Sequence, residues 1–384
     1  MNSSTVAPFP DDTARGAVFS RREGDMATVF NFSAGPAIMP KDVLRQAQAE
    51  LLDFQGSGMS VMEMSHRGDE YMAIQAEAEK NIRTLLGVPE NYHVLFLQGG
   101  ATTEFALVPM NLLHAGQSAD YTLSGAWGKK AVDEAKVLGK VNVIADTNAA
   151  RPCRVPTPAE LKETAGAAYL HITSNETISG AQWKAFPKTT APLVADMSSD
   201  IASRVIDVKQ FGVIYAGAQK NLGPSGVTLV IIRKDLAEAA RKDIPAIFRY
   251  QTHAENESML NTPPCFSIYL LMLVTRWIAK QGGVAAIQKV NDAKAAKLYA
   301  AIDGSGFYKG AADKAHRSTM NVTFNLPNED LEKKFAKQAE AEGLKQLKGH
   351  RSVGGLRASI YNAFPAEGVD ALVSFMREFE KKNG

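Results

Sequence analysis

Three features of the sequence combine residue types and positions that could do chemistry, and each follows a strand-like run. Lys220 lies in "GVIYAGAQKNLGPSG", Asp196 ends "PLVAD", and Gly99 and Gly100 follow "YHVLFLQ". A desolvated lysine amine can attack a carbonyl group, and a carboxylate at the end of a buried strand requires a partner. Small residues before a helix let backbone amides approach a phosphate. Taken singly, each also has an ordinary structural interpretation: a solvated lysine, a helix cap or salt bridge, and a glycine-rich turn.

The combination of the three matches the requirements of one cofactor, pyridoxal 5'-phosphate. Lys220 would bond to its aldehyde, Asp196 would hold the pyridine nitrogen protonated, and the glycine-rich turn would bind its phosphate. Trp127, in "SGAWGKK", follows another strand-like run and could stack on the ring, although partial burial in an apolar patch explains it as well. We therefore predict a pyridoxal phosphate site at the ends of neighbouring strands.

Seven short apolar runs, with helical patterns between them, must position these residues. The runs are "YHVLFLQ", "SADYTLSG", "KVNVIAD", "AAYLHITS", "APLVADMSS", "FGVIYAG" and "GVTLVIIR". Continuous Val, Ile and Leu runs separated by amphipathic helices are typical of a mainly parallel sheet buried on both faces. Ligands of such sheets bind beyond the carboxyl ends of the strands. We predict an α/β fold with a mainly parallel seven-stranded sheet flanked by helices.

A second, smaller unit is predicted after the stretch Gln281-Gly282-Gly283. Residues 284–384 carry their own helical patterns and the strand candidates "MNVTFNL" and "LRASIYN". We therefore divide the chain into a large domain of residues 27–283, whose first residues pack on the small domain, and a small α/β domain of residues 284–384. Residues 1–26 are rich in Ser, Pro and charge and lack the apolar segment of a secretory signal, so we predict a disordered extension.

The composition limits the classes of function. With 384 residues, a net charge of +2 and 22% charged residues, the chain shows no charge excess that favours nucleic acid or a membrane surface. The apolar run "FSIYLLMLV" is too short to span a bilayer. The two cysteines, Cys153 and Cys265, lack metal-ligand spacing and are too few for a disulfide framework. We predict no metal site and a cytoplasmic protein.

Six motifs resemble those of the phosphoserine aminotransferases, a family of class V aminotransferases with the fold of type I pyridoxal phosphate enzymes. They are "FNFSAGPA", "SVMEMSHRG", "NETISG", "GVIYAGAQKNLGPSG", "NTPP" and "KGHRSVGGLRASIYNAFP". The resemblance extends from about Ala27 to the end of the chain and leaves residues 1–26 outside it. It implies a homodimer whose active sites are shared between subunits.

The resemblance also implies a role for each matching residue. Lys220 would be the catalytic lysine, Asp196 the partner of the pyridine nitrogen, and Trp127 the residue stacked on the ring. Thr177 would hydrogen-bond the ring hydroxyl. The cofactor phosphate would be held by three segments, the last of which reaches it from the neighbouring subunit: Gly100, Ala101 and Thr102; Gln219; and Asn261 and Thr262.

The implied reaction moves an amino group reversibly between glutamate and 3-phosphohydroxypyruvate, giving 2-oxoglutarate and O-phosphoserine in serine biosynthesis. The family is also linked to 3-hydroxy-2-oxo-4-phosphooxybutanoate, a longer keto acid of vitamin B6 synthesis. Arg357 would bind the α-carboxylate, because a guanidinium can make two parallel hydrogen bonds to it. Four side chains would hold the distal anion: His66, Arg67, His350 and Arg351. Without the resemblance, such His-Arg pairs are commonly solvated or salt-bridged. Thr102 stands where some members of the family carry a basic residue.

Two other functions stay open at this point. A cysteine desulfurase or related lyase of the same fold would need a mobile cysteine over the substrate, and neither Cys153 nor Cys265 lies in an obvious catalytic loop. A non-catalytic α/β protein that binds a phosphorylated ligand would not need Lys220, Asp196 and Trp127 together.

Overall fold

The computed structural model describes residues 29–384, so the predicted extension of residues 1–26 lies outside the described residues. The strands are β1 (Phe30–Asn31), β2 (Tyr92–Leu97), β3 (Ser118–Leu123), β4 (Lys140–Asp146), β5 (Leu170–Thr173), β6 (Leu193–Asp196), β7 (Val213–Gly217), β8 (Thr228–Arg233), β9 (Lys309–Gly310), β10 (Asn321–Asn325), β11 (Leu344–Lys345) and β12 (Leu356–Ser359). The helices are α1 (Lys41–Ala49), α2 (Asp69–Leu86), α3 (Gly100–Leu112), α4 (Ala126–Leu138), α5 (Lys234–Glu238), α6 (Tyr250–Glu255), α7 (Cys265–Lys280), α8 (Gly283–Asp303), α9 (Glu329–Ala341) and α10 (Ala366–Asn383).

Seven of these strands form one large sheet in the order β2-β8-β7-β6-β5-β3-β4. The pairs from β7 to β4 are parallel, whereas β8 runs antiparallel to both of its neighbours. Each strand coincides with one of the seven apolar runs, and the prediction of a mainly parallel sheet is confirmed. Because β5, β6 and β7 are parallel, their last residues, Thr173, Asp196 and Gly217, lie at one edge of the sheet.

Helices cover both faces of this sheet because alternate residues of its strands point to opposite sides. In β6, Ala195 joins a core that contains residues of α2 and α7, whereas Val194 joins a core that contains residues of α3 and α4. In β7, Ile214 and Tyr215 divide in the same way. Both faces are therefore apolar, which explains the continuous hydrophobic runs of the sequence.

A second sheet has its own core in the carboxyl-terminal part of the chain. Strands β12, β10 and β9 form an antiparallel sheet in that order, and residues of α8, α9 and α10 pack in the same core. Strand β1 pairs in parallel with β11, and the fully buried Phe32 belongs to this second core. Helix α8 contributes to both cores, with Val284 in the first and Leu298 in the second. The division of the chain at residue 283 stays a prediction.

Buried amide side chains join the two parts, and we call this group the amide seam. Asn175 Nδ2 donates to Asn321 Oδ1 over 2.8 Å, and Asn321 Nδ2 donates to the Tyr361 hydroxyl over 3.1 Å. Asn221, which follows the predicted catalytic lysine, accepts a hydrogen bond of 3.0 Å from the Asn362 backbone amide. An unpaired buried polar group costs about 1–3 kcal/mol, so these directional bonds fix how the two parts meet.

Helix α7 is apolar around much of its surface because it lies in the first core. The residues from Ile268 to Thr275 are all buried, and α7 packs against α2. Within residues 29–384, no single helix is both long and apolar enough to cross a membrane. Helices α7 and α8 meet those length and composition criteria only as a pair with an 80° bend between them.

Candidate active site

Lys220 lies in the turn that follows β7, where two other predicted residues contact its amine. Its Nζ donates a hydrogen bond of 2.7 Å to Thr177 Oγ1 and lies 5.6 Å from the centroid of the Trp127 ring. Burial lowers the pKa of Lys220 to about 8; the Asp196 carboxylate opposes this shift, and the Arg357 charge adds to it. Part of the amine is therefore neutral near pH 7, as a nucleophile for an aldehyde requires.

Asp196, the last residue of β6, is buried at the same sheet edge. Its Oδ1 accepts hydrogen bonds from the Ser198 amide (2.9 Å) and the Ser198 hydroxyl (2.6 Å). Burial raises the pKa of the carboxyl group, whereas Ser198 and the Lys220 charge oppose the rise. Within residues 29–384, both hydrogen bonds to this carboxylate are accepted by Oδ1. The other oxygen, Oδ2, is thus left for a cationic atom such as a protonated ring nitrogen.

Helix α4 presents Trp127 beside the lysine amine, and a residue that sequence reasoning missed anchors its first turn. Glu176 is fully buried, and its carboxylate accepts hydrogen bonds from the backbone amides of Trp127 (3.2 Å) and Gly128 (3.1 Å). Burial raises the pKa of Glu176 to about 7, and these two amides oppose the rise. A Cβ at Gly125 would lie 2.5 Å from the Glu176 carboxyl carbon, so glycine is required there. Because Glu176 directly precedes Thr177, one short segment holds both groups that contact the lysine amine.

The turn between β2 and α3 has the geometry of a phosphate cradle. Gly99 and Gly100 have φ angles of 97° and 71°, which favour glycine. A Cβ at Gly100 would meet nothing within 4 Å, and the first turn of α3 contains no acidic residue and no side-chain cap. The backbone amides of this turn, which include those of Ala101 and Thr102, are therefore available to an anion.

These residues fit pyridoxal phosphate. Lys220 offers an amine of lowered pKa, Asp196 offers an anionic oxygen, and the glycine turn offers amides to a phosphate. The Trp127 Nε1 is buried without a hydrogen-bond partner in the described part of the chain, so it can donate to a ligand oxygen. Gln219 packs its side chain beside Gly217, at the same edge of the large sheet.

Three basic side chains lie next to this site, in β12 and the loop before it, and we call His350, Arg351 and Arg357 the basic cluster. The half-buried Arg357 donates from Nη1 to the Thr177 carbonyl over 3.4 Å, and its Nε is buried without a partner within residues 29–384. Burial and the charges of Arg357, Arg351 and Lys130 lower the pKa of His350. No carboxylate contributes to the pKa shift of His350 or of Arg357 in the described structure. Several cations without a balancing anion suit an anionic ligand.

Four predicted residues are not joined to the lysine within a single chain: His66, Arg67, Asn261 and Thr262. Between residues 29 and 384, no hydrogen bond or ion pair connects His66 or Arg67 to the basic cluster, and His66 Nε2 is buried without a partner. The Thr262 carbonyl accepts a hydrogen bond of 2.9 Å from Gln98, directly before the glycine turn, and the Asn261 side chain is exposed. The roles of these four residues stay predictions.

Neither cysteine is placed as a desulfurase would require. The buried Cys153 exchanges backbone hydrogen bonds with Ala311 and Asp313, and Cys265 begins α7 with its Sγ 3.4 Å from the Pro263 carbonyl. Burial raises the pKa of both thiols, so neither is a reactive thiolate near neutral pH.

A layer of buried polar groups behind the sheet edge also escaped sequence reasoning. Glu104 accepts a hydrogen bond of 2.7 Å from the Tyr250 hydroxyl, and burial raises the Glu104 pKa to about 8. His171 Nε2 and the Tyr215 hydroxyl are 2.7 Å apart, and burial lowers the His171 pKa to about 3. The Asp196 charge acts on both Glu104 and Tyr215. Because Glu104 and His171 are mainly neutral at pH 7, they add no fixed charge beside Asp196.

Comparison with known proteins connects this geometry to one family. The family model described as Aminotransferase class-V matches residues 29–372. A phosphoserine aminotransferase from Herpetosiphon aurantiacus is 54% identical over 359 residues, which cover 93% of this chain and 100% of that protein. A solved phosphoserine aminotransferase from Bacillus circulans subsp. alkalophilus has a TM-score of 0.91 at 53% identity, with 93% and 99% of the two chains covered. A PLP-bound phosphoserine aminotransferase from Trichomonas vaginalis has a TM-score of 0.88 at 42% identity, with 91% and 100% covered. The predicted aminotransferase fold is confirmed, and the chain belongs to the phosphoserine aminotransferase family of class-V aminotransferases.

Proposed function

We propose that this chain uses pyridoxal phosphate to transfer an amino group between glutamate and 3-phosphohydroxypyruvate, giving 2-oxoglutarate and O-phosphoserine. As an aminotransferase it acts on an amino acid and a keto acid in turn, and the family places it in serine biosynthesis. The observation that carries the proposal is the convergence on one sheet edge of Lys220, Thr177, Trp127 and Asp196, with the cation Arg357 beside them. We further propose that the reaction takes place in the cytoplasm.

The residues of the large sheet edge hold the cofactor and move the reacting proton. When bound, pyridoxal phosphate supplies an aldehyde and a ring that accepts electrons. Asp196 keeps the ring nitrogen protonated, while Trp127 and Thr177 orient the ring. The Lys220 amine would take the proton from the α-carbon of the amino acid in one half of the cycle and would give a proton to the α-carbon of the keto acid in the other. Its pKa of about 8 suits both directions near neutral pH.

The basic cluster selects the substrates. The Arg357 guanidinium, next to Thr177, binds the α-carboxylate that glutamate and the keto acid share. His350 and Arg351 bind the distal anion, which is a carboxylate in glutamate and a phosphate in the keto acid. An anion bound there raises the pKa of His350 again, because it offsets the three cations that lower it. A higher pKa of His350 would favour the protonated imidazole, which attracts the anion.

A homodimer would complete the site, because His66 and Arg67 do not reach the basic cluster of their own chain. The segment that carries them exposes apolar side chains, with Leu52 84%, Met62 59% and Met72 42% accessible. Apolar side chains exposed together are typical of a protein–protein interface. We propose that a second copy covers this surface and that each copy lends its His66 and Arg67 to the other.

Complementation between inactive variants tests the shared site. Lys220→Ala and Arg67→Ala are each expected to be inactive, and hybrid dimers of the two contain one intact site. Random mixing should therefore restore about a quarter of the wild-type activity. A mixture of Lys220→Ala with Arg357→Ala is the matched control, because both residues serve the site of their own chain and no hybrid site is intact. Equal recovery in both mixtures, or in neither, would show that the sites are not shared in this way.

The reaction itself is tested with the purified holoprotein. It should absorb as a yellow lysine-bound cofactor, borohydride should fix the cofactor on Lys220, and phosphoserine with 2-oxoglutarate should yield glutamate. Lys220→Ala should lose all three properties. A cofactor fixed on another lysine would refute the assignment of Lys220, and a yellow protein that makes no glutamate from phosphoserine would refute the substrate.

A further inference from the structure

We propose that Lys130 is a further binding residue for the distal phosphate of the keto acid and that it contributes to the preference for phosphorylated substrates. The inference rests on the proposed function, because it adds one cation to the same site. Lys130 lies near the start of α4, three residues after Trp127, and its side chain is exposed.

Two interactions locate the charge of Lys130 at the site. Its Nζ lies 4.5 Å from the centroid of the Trp127 ring, and the Lys220 Nζ lies 5.6 Å from the same centroid. The two amines are therefore no more than about 10 Å apart, each within the usual range of a cation–π contact. The Lys130 charge also acts on His350, together with the charges of Arg351 and Arg357. The Lys130 ammonium thus lies close to the Trp127 ring, and its charge also acts on the basic cluster.

Lys130 has no carboxylate partner within residues 29–384. The neighbouring residue, Lys129, does form an ion pair: its Nζ lies 2.6 Å from the carboxylate of Asp133, four residues later in α4. Glu134 stands at the corresponding i+4 position from Lys130, yet Lys130 lies over the indole ring instead. Cations that share a small volume without a carboxylate repel one another, and a bound anion relieves that repulsion.

A phosphorylated three-carbon keto acid has the length that this arrangement requires. Three bonds separate its carbonyl carbon from phosphorus, which is about 4 Å for ordinary bond lengths. A phosphate oxygen and a charge-assisted hydrogen bond extend the reach by about 4 Å more. With the carbonyl carbon at Lys220, this total reach of about 8 Å compares with at most about 10 Å between the two amines, so the phosphate can approach Lys130. Hydroxypyruvate, which lacks the phosphate, ends in an uncharged hydroxyl and gains nothing from the ammonium.

The experiment compares Lys130→Gln with Lys129→Gln in the holoenzyme. Glutamine is shorter than lysine, but in both variants it keeps a flexible polar side chain and a similar helix propensity while it removes the charge. Lys129 differs in being paired with Asp133. We expect Lys130→Gln to lower kcat/KM for 3-phosphohydroxypyruvate by about tenfold, the loss typical of one charge-assisted hydrogen bond. Its kcat/KM for hydroxypyruvate should change by less than about twofold, and Lys129→Gln should change neither value by more than that.

Inorganic phosphate gives a readout that does not depend on turnover of the phosphorylated substrate. Its competitive inhibition constant against hydroxypyruvate should rise about tenfold in Lys130→Gln and stay constant in Lys129→Gln. Equal losses with both keto acids would show that Lys130 only supports the position of Trp127, and the inference would be wrong. If the wild type prefers the phosphorylated keto acid and Lys130→Gln keeps that preference, the inference fails while the proposed function stands. A wild type that makes no phosphoserine would overturn both.

Discussion

The lowered pKa of Lys220 predicts how fast the protein without cofactor captures pyridoxal phosphate at each pH. Only the neutral amine attacks an aldehyde. With a pKa of about 8, rather than the ordinary 10.5, about a tenth of the amine is neutral at pH 7 and about half at pH 8. An ordinary lysine has about 0.03% neutral amine at pH 7, so the pocket increases the reactive fraction roughly 300-fold. The capture rate should rise between pH 6 and pH 8 and level off above about pH 9.

Stopped-flow absorbance of the cofactor with the apoprotein measures this profile, and Lys220→Ala should show no capture. Two variants test the cause of the shift. Arg357→Met removes a charge that lowers the Lys220 pKa, so the midpoint should move to higher pH. Asp196→Asn removes a charge that raises it, so the midpoint should move to lower pH. A rate that still increases tenfold per pH unit at pH 9.5, or two midpoints that move in the same direction, would refute the assignment of the pKa to burial and these charges.

Gly100→Ala should lower the free energy of unfolding by about 1 kcal/mol, because alanine is strained at this left-handed φ, and should weaken cofactor binding at least about tenfold. Gly87→Ala is the control: Gly87 has a φ of 63° and equally open surroundings, so the substitution should cost similar stability without changing cofactor affinity. Equal affinities of the two variants for the cofactor would contradict the phosphate cradle. Glu176→Gln replaces one of the two oxygens that accept from the α4 backbone amides with an NH2 donor. The free energy of unfolding in urea should therefore fall by about 2 kcal/mol, and the absorbance spectrum of the holoenzyme should change. A wild-type spectrum would show that the carboxylate does not position Trp127. Lys294→Met leaves three buried carbonyl groups without their shared donor, so the free energy of unfolding measured in urea should fall by about 3 kcal/mol. Lys297, on the same helix, is exposed, and Lys297→Met should lower it by less than about 1 kcal/mol. Similar losses in the two variants would mean that the Lys294 side chain does not stabilise the fold.

Much of the large sheet could be predicted because burial on both faces imposes continuous apolar runs, and parallel strands end at one edge. Lys220 and Asp196 were recognisable for that reason: each ends or follows such a run. Glu176 could not be recognised in this way, because its hydrogen-bond partners lie at the start of α4, 48 and 49 residues away, and no local sequence pattern predicts that contact. Lys129 and Lys130 are adjacent and chemically identical, and only the rotation of α4 decides which pairs with Asp133.

The position of the proposed second copy cannot be derived from the sequence pattern of one chain. His66 and Arg67 were recognisable only by resemblance, since within the described residues they contact neither the lysine nor the basic cluster. The exposure of Leu52 and Met62 supports the proposal that a second copy covers their segment, but periodicity within one sequence carries no information about a surface on another molecule.

The amide seam has a consequence for how this scaffold can diversify. Asn221 ties the turn of the reacting lysine to the backbone of Asn362, while Arg357 stands on the strand just before it. The Lys220 amine and Arg357, the proposed ligand of the α-carboxylate, are thus kept at a constant spacing by groups outside the proposed substrate site. Loop residues 349–355 carry His350 and Arg351 but do not belong to the amide seam. Changes in this loop could therefore alter which keto-acid tails are accepted, while the seam kept Lys220 and Arg357 in place.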